Sequence, residues 1–343
     1  MCNQIALKKT GYIFNICANK QCNGKREGGN RGAERNSTEK TRARKTMEMM
    51  LRQRQLYLLM LPAVLYTALF CYKPMYGILI AFKNFSIRKG VWGSEWVGFA
   101  NFERLFSSYW FPIILKNTIT LSALGLLIGF PLPIVLALLL NEVRSTRYRN
   151  TVQTVSYAPH FISTVVMCGM ITMFLNPNTG IINKFITLLG FDAVYFMQEA
   201  SMFKWIYTIS DIWQGIGWSS IIYFAALASV DRSLLEAADV DGANRFQKIW
   251  HINIPEILPT IIMMFILRCG QILSIGYEKV YLLQNSMNLV GSEVISTYVY
   301  KIGLEQADFA YSTAAGLFNT VVNCIFLILA NNLSKKITES GLF

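Results

Sequence analysis

The sequence predicts an all-α, polytopic membrane protein with about six transmembrane helices. Three observations predict it. Across 343 residues the hydrophobic fraction is 53%, charged residues make up only 15%, and mean hydropathy is +0.36, whereas soluble domains carry about 25% charged residues. The apolar residues are gathered into blocks of about 20, the length that crosses a hydrocarbon core about 30 Å thick. Between the blocks, short basic loops alternate with loops poorer in Lys and Arg, the pattern that orients membrane chains with their positive side in the cytoplasm.

The elements follow in order. Residues 1–46 hold eleven Lys/Arg against three Glu, which accounts for eight of the twelve net positive charges. They are rich in Asn, Gly, Lys and Arg and lack apolar periodicity apart from residues 12–17, so they read as a basic, disordered extension. That short run is too brief for a signal-peptide core, and no small-residue cleavage site follows it. Met47, with Arg52 and Arg54 close behind, offers an alternative start. Because the excess charge sits in this tail, the +12 points to cytoplasmic loops and no nucleic-acid partner. Residues 47–343 form the transmembrane domain.

Six spans are expected, at about 56–82, 117–140, 155–175, 205–230, 260–283 and 313–333. The first carries Pro62, Lys73, Pro74 and Gly77 and is expected to kink near its outer end; the second contains Pro131 and Pro133. Prolines are tolerated in such helices because neighbours re-satisfy the freed carbonyls. Arg144, Arg147 and Arg149 follow span two, Arg232, Arg245 and Lys248 follow span four, and Lys335 and Lys336 follow span six. The loop after span one dissents with Lys83, Arg88, Lys89 and Arg104, but long loops weigh less. Both termini are therefore expected in the cytoplasm. Of the seven cysteines, Cys71, Cys168, Cys269 and Cys324 fall in apolar spans, and there is no C-x-x-C. Neither a disulfide framework nor a metal site is expected.

The most informative segment is the loop at 231–259. Asp231 or Ser233 can cap a short helix through Glu236, Ala237 and Ala238, Gly242 permits a sharp break, and Phe246, Ile249 and Trp250 form one face of a second amphipathic turn. Pro255 and Pro259 then open span five. A plain amphipathic connector at the lipid surface would share much of this pattern. The spacing, however, resembles the E-A-A-x3-G-x9-I-x-L-P signature of permease subunits of binding-protein-dependent ATP-binding cassette (ABC) importers. Glu236, Ala237, Ala238, Gly242, Ile252 and Pro255 match in register, and Ile254 stands where that family has Leu. The stretches at 73–77 (KPMYG), 96–102 (WVGFANF), 117–121 (NTITL), 137–142 (ALLLNE), 157–163 (YAPHFIS) and 294–300 (VISTYVY) resemble the polysaccharide-type branch, which takes up oligosaccharides.

That resemblance implies the importer permease fold and a cell-membrane transport subunit that is not an enzyme, with the loop coupling it to a separate ATPase. It further implies ATP-binding cassette subunits, a second, related permease, an extracellular solute-binding lipoprotein and a sugar cargo as partners. The absence of G-x-x-x-x-G-K-[ST] agrees, since no phosphate-cradling loop is present in the chain. No catalytic residue and no cofactor is expected.

Polar groups within spans are costly and mark function by default. Span four carries Asp211, Gln214 and Trp218; Gln214 and Trp218 are i, i+4 and share a face, with Gly215 and Gly217 lowering the bulk between them. A carboxylate, an amide and an aromatic ring suit a sugar path. Gln271 in span five and Asn323 in span six are the next candidates, with Arg268, Tyr277, Glu278 and Asn319 beside them. Such residues also serve as helix glue, and Asp211 has a second possible role as the partner of Lys279. Two rival functions, a secondary transporter and an integral-membrane enzyme, lack their marks: no inverted pair of broken helices, and neither His160 nor His251 with a carboxylate partner.

Overall fold

The computed structural model describes residues 54–338; the basic extension at 1–46 and the start at Met47 lie outside the described residues. The chain divides into two units, Met1–Met75 and Tyr76–Phe343.

In the first unit, an α-helix over Arg54–Tyr66 contains Pro62 and passes into a π-helical stretch, Thr67–Tyr72, and none of these residues is buried. The helical run that starts here, α1 (Arg54–Phe82), is 29 residues long and apolar enough to cross a membrane. The irregularity expected around Pro74 takes the form of a change of winding, from α to π and then to a tighter 3-10 helix over Lys73–Phe82.

The second unit continues with a small antiparallel hairpin pairing Lys83 with Trp96 and Asn84 with Glu95. Helix α2 (Ala100–Phe106) leads into α3 (Trp110–Asn141). A π turn at Gly125–Gly129 precedes Pro131, which lies in the first turn of the segment Pro131–Asn141. Inside a continuous helix its missing N–H interrupts the hydrogen-bond ladder, and the π turn stands next to that interruption.

Span three, expected at about 155–175, is broken by a sharp bend. α4 (Thr146–Phe161) and α5 (Thr164–Phe174) meet at 99°. Pro159 falls in the 3-10 turn that ends α4, Ile162 is extended, and the Ser163 hydroxyl accepts from the Val166 amide to begin α5. A short helix, α6 (Ile181–Leu188), follows, and then α7 (Ala200–Ala228). At 29 residues, α7 is about 43 Å long, but with Lys204, Asp211 and Gln214 in its first half it is not among the helices apolar enough to count as spans.

Span five is also displaced. The membrane-length helix α9 (Arg245–Cys269) begins earlier than expected and stops at Gly270, and residues 277–283 form a separate helix, α10 (Tyr277–Leu283). A break at membrane depth needs its backbone groups satisfied by neighbours. The Ser122 hydroxyl donates to the Ile272 carbonyl, and the Leu273 amide donates to Asn323 Oδ1 at 2.8 Å. The chain then runs through α11 (Ile295–Tyr300) to the 30-residue α12 (Phe309–Thr338). Among the described residues, α1, α3, α9 and the body of α12 are long and apolar enough to span a membrane, and the bent pair α4–α5 makes a fifth. By length alone, α7 is the sixth.

The core lies where these helices cross. Ala137 and Leu138 of α3, Tyr223 and Leu227 of α7 and Ile257 of α9 form one buried cluster. Leu121, Cys168, Phe203, Val280, Leu283 and Val294 form another. Gly217 lets α7 run against the backbone of Ser156, where a Cβ would collide with the carbonyl. Its smallness thus serves the α4–α7 contact rather than the polar residues beside it.

Candidate functional site

Two regions carry the chemistry. The first is the loop at 231–259. Helix α8 (Arg232–Val240) starts at Asp231, whose carboxylate accepts from the Ser233 amide at 2.9 Å. That backbone hydrogen bond, helped by the serine side chain, holds the Asp231 carboxyl below the usual carboxylate range. At the other end, the Ala243 amide donates to Ala238 O at 2.9 Å and the Gly242 amide to Asp239 O at 3.2 Å. This paired closure of a helix end requires a left-handed residue between its two bonds, and Gly242 supplies it at φ +76°.

Helix α9 then opens with a reciprocal cap. The Gln247 amide donates to Asn244 Oδ1 at 2.9 Å, and the Asn244 amide donates to Gln247 Oε1 at 2.8 Å. An ion pair between Lys248 and Asp239 ties the two helices together. The result is a capped helix–glycine–helix hairpin that exposes Val240 at 89%, Phe246 at 73% and Trp250 at 61%. Glu236, Ala237 and Gly242 are exposed on the hairpin, while Ala238 and Ile252 are half-buried and, with Gly242 and His251, line a pocket of about 310 Å³. Pro255 sits in the first turn of Ile254–Cys269, beyond a π turn at Ile249–Asn253. In that turn Asn253 is buried with neither polar side-chain atom hydrogen-bonded.

The second region is a pair of adjoining cavities between α3, α7 and α9. One, of about 300 Å³, is lined by Asp211, Gln214, Arg268, Gln271, Glu278 and Lys279, among others. The other, of about 520 Å³, shares Asp211, Arg268 and Gln271 and adds Trp218 and Tyr223. Asp211, Gln214, Trp218 and Gln271 are therefore brought together. Asn323 is not on either lining. Its amide donates to Ser274 Oγ at 2.8 Å while its oxygen holds the Leu273 amide, so it acts as glue between α12 and the broken end of span five.

The remaining polar groups sort themselves by partner. Lys279 is buried, and its Nζ lies 3.4 Å from Asp211 Oδ1. Gln214 Nε2 donates to the Ile162 carbonyl at 3.1 Å, a group exposed by the bend between α4 and α5. One face of Trp218 is covered by His160, stacked at 4.4 Å and 7°, with Phe161 edge-on at 6.0 Å. Tyr277 stacks on Tyr300 instead of facing the cavities. Neither the His160 stack nor the central position of Arg268 is visible in local spacing, since both depend on how separate helices meet. Among the described residues no cluster of three His, Cys, Asp or Glu is placed to hold a metal ion.

Membrane-length helices around a polar cavity, with an exposed apolar hairpin joining two of them, define a transport subunit. Residues 129–339 match the family model described as "Binding-protein-dependent transport system inner membrane component", and the chain belongs to that family. It is similar to Protein LplB of Bacillus subtilis (strain 168), with 44% identity over 87% of this chain and 93% of that protein. It is equally similar, at 44% identity over 89% of this chain and 95% of the relative, to the polygalacturonan/rhamnogalacturonan transport system permease protein YteP of the same organism. Among solved structures, a chain of a bacterial alginate ABC transporter, in complex with an alginate pentasaccharide-bound periplasmic protein, superposes with TM-score 0.80. It is 43% identical over 86% of this chain and 99% of its own length.

Proposed function

We propose that this chain is the membrane-spanning subunit of an ATP-driven importer that moves sugars, in oligosaccharide form, from an extracellular solute-binding lipoprotein into the cytoplasm. The observation that carries the reading is the hairpin at 231–259. Its caps, its left-handed Gly242 and its exposed Phe246 and Trp250 suit a rigid handle for another protein, and its residues match the permease signature.

In this reading ATP is hydrolysed on separate cassette subunits docked against Glu236, Ala237, Ala238, Gly242, Ile252 and Pro255. A second, related permease completes the translocation path, and both termini lie in the cytoplasm with the basic loops. Asp211, Gln214, Trp218 and Gln271 line the route: the ring stacks on sugar C–H faces and the amides bond hydroxyls. Asn323 supports the route from behind. The relatives support a saccharide cargo, since polygalacturonan/rhamnogalacturonan, arabinooligosaccharides and alginate all appear in their names.

The test is reconstitution of the chain with its companion permease, ATPase and binding protein in proteoliposomes. Labelled oligosaccharide should enter only with ATP at the cassette side and binding protein at the opposite side. Uptake driven by an ion gradient, with ATP and ATPase omitted, would overturn the proposal.

A further inference from the structure

Helix α7 has a groove on the face turned away from the polar cavities. Met202, Trp205, Ile206, Ile209 and Trp213 recur at helical spacing and, with Met167 and Met170 of α5, line a space of about 560 Å³. At about 100° per residue they lie opposite Asp211, Gln214 and Trp218 on the helix. Apart from Ser210 every lining residue is apolar, and the Ser210 hydroxyl donates to the Tyr207 carbonyl at 2.9 Å. The groove opens outward, with Ile209 65% exposed and Trp205 and Trp213 exposed beside it.

Its dimensions limit what can lie in it. From Met202 to Trp213 it runs about 16 Å along the helix, the depth of one leaflet of a hydrocarbon core about 30 Å thick. The volume spread over that length gives a cross-section of about 35 Å². A helix with its side chains is about 10–12 Å across and needs more than twice that area. The groove therefore takes in an apolar chain thinner than a helix. Met167, Met170 and Met202 are unbranched and polarizable, which suits a flexible apolar guest.

A cation stands at the rim. Lys204 Nζ lies 6.0 Å from the centre of the Trp205 ring. The carboxylates of the preceding stretch, Asp192 and Glu199, are exposed, and among the described residues Lys204 forms no ion pair. Centred on the hydrocarbon core, α7 overshoots it by about 6 Å at each end, or about four residues. That sets Lys204 at the level of lipid phosphates and Trp205 in the interfacial layer where tryptophan collects.

We propose that the groove is a phospholipid site, with one acyl chain lying between α5 and α7 and the phosphate held at Lys204. Under the orientation proposed above, the lipid belongs to the outer leaflet. The site is separate from the sugar route, which occupies the other face of α7.

The experiment uses the full complex, delipidated in detergent, with dioleoyl phosphatidylglycerol added back and bound lipid counted by native mass spectrometry. Wild type should retain the lipid, and inorganic phosphate, which lacks the chains, should not displace it. Ile209→Trp puts bulk into the groove at an exposed position and should remove one bound lipid per chain while the complex stays assembled. Lys204→Gln should weaken retention about fivefold. Wild-type retention in either variant, or displacement by phosphate alone, would overturn the proposal. Loss of the companion permease from Ile209→Trp with lipid retention intact would also overturn it, by making the groove a contact for a helix.

Discussion

Gly242→Val isolates the mechanical claim about the loop. The residue sits at φ +76° with nothing of this chain within 4 Å of an added Cβ, so within the subunit the cost of a larger side chain is backbone strain. Forcing an L-residue into the left-handed region costs about 1–2 kcal/mol, and more for a β-branched one, whose χ1 freedom is already narrow. Asn tolerates that region. A cost of this size shifts the capped hairpin's population by about 5- to 30-fold, enough to unseat the paired bonds from Ala243 and Gly242. Uptake should therefore decline in the order Gly, Asn, Ala, Val, with Val abolishing it at normal membrane abundance. The assay is ATP-dependent uptake normalised to inserted protein. If Val transports like wild type, or Asn is as damaging as Val, the left-handed turn is not what couples the subunit.

Three further outcomes are expected. Trp218→Ala should raise the half-saturation concentration about tenfold, from about 1–3 kcal/mol of lost contact, and Gln214→Ala should do the same while also lowering abundance, because it leaves the Ile162 carbonyl unbonded; wild-type kinetics per molecule in both would move the path elsewhere. Asn323→Ala should do the reverse, leaving the buried Leu273 amide unbonded at a cost of about 1–3 kcal/mol, which lowers complex abundance or thermal stability without altering affinity per molecule. Expression from Met47 should keep full uptake, and loss of transport at normal abundance would assign the basic extension a function.

Much of the fold was legible because the membrane imposes it. A block of about 20 apolar residues admits few alternatives to a helix, and the loop at 231–259 announces its caps in Asp231, Asn244, Gln247 and Gly242. The two misplaced spans fail for one reason. Apolar content continues through Ile162 and through Ile272–Ile275, so hydropathy runs on where the backbone breaks. The breaks become affordable only through distant partners: Gln214 for the Ile162 carbonyl, Ser122 and Asn323 for the 270–276 stretch. The same logic separates the candidates of the path. Asp211, Gln214 and Trp218 share a helix, and their common face follows from spacing. Asn323 resembles them chemically, and only the fold reveals that it lies on neither cavity lining. The stacking of His160 on Trp218 depends on the bend after Pro159, which a straight span three would have hidden.

The central claim is that a separate ATPase works this subunit through the hairpin. The most direct measurement is ATP hydrolysis by the purified complex, with and without its sugar-loaded binding protein, in wild type and in Gly242→Val. The account predicts that loaded binding protein stimulates hydrolysis in wild type and that Gly242→Val removes the stimulation while the complex remains assembled. Stimulation of equal size in the variant, accompanied by transport, would contradict it.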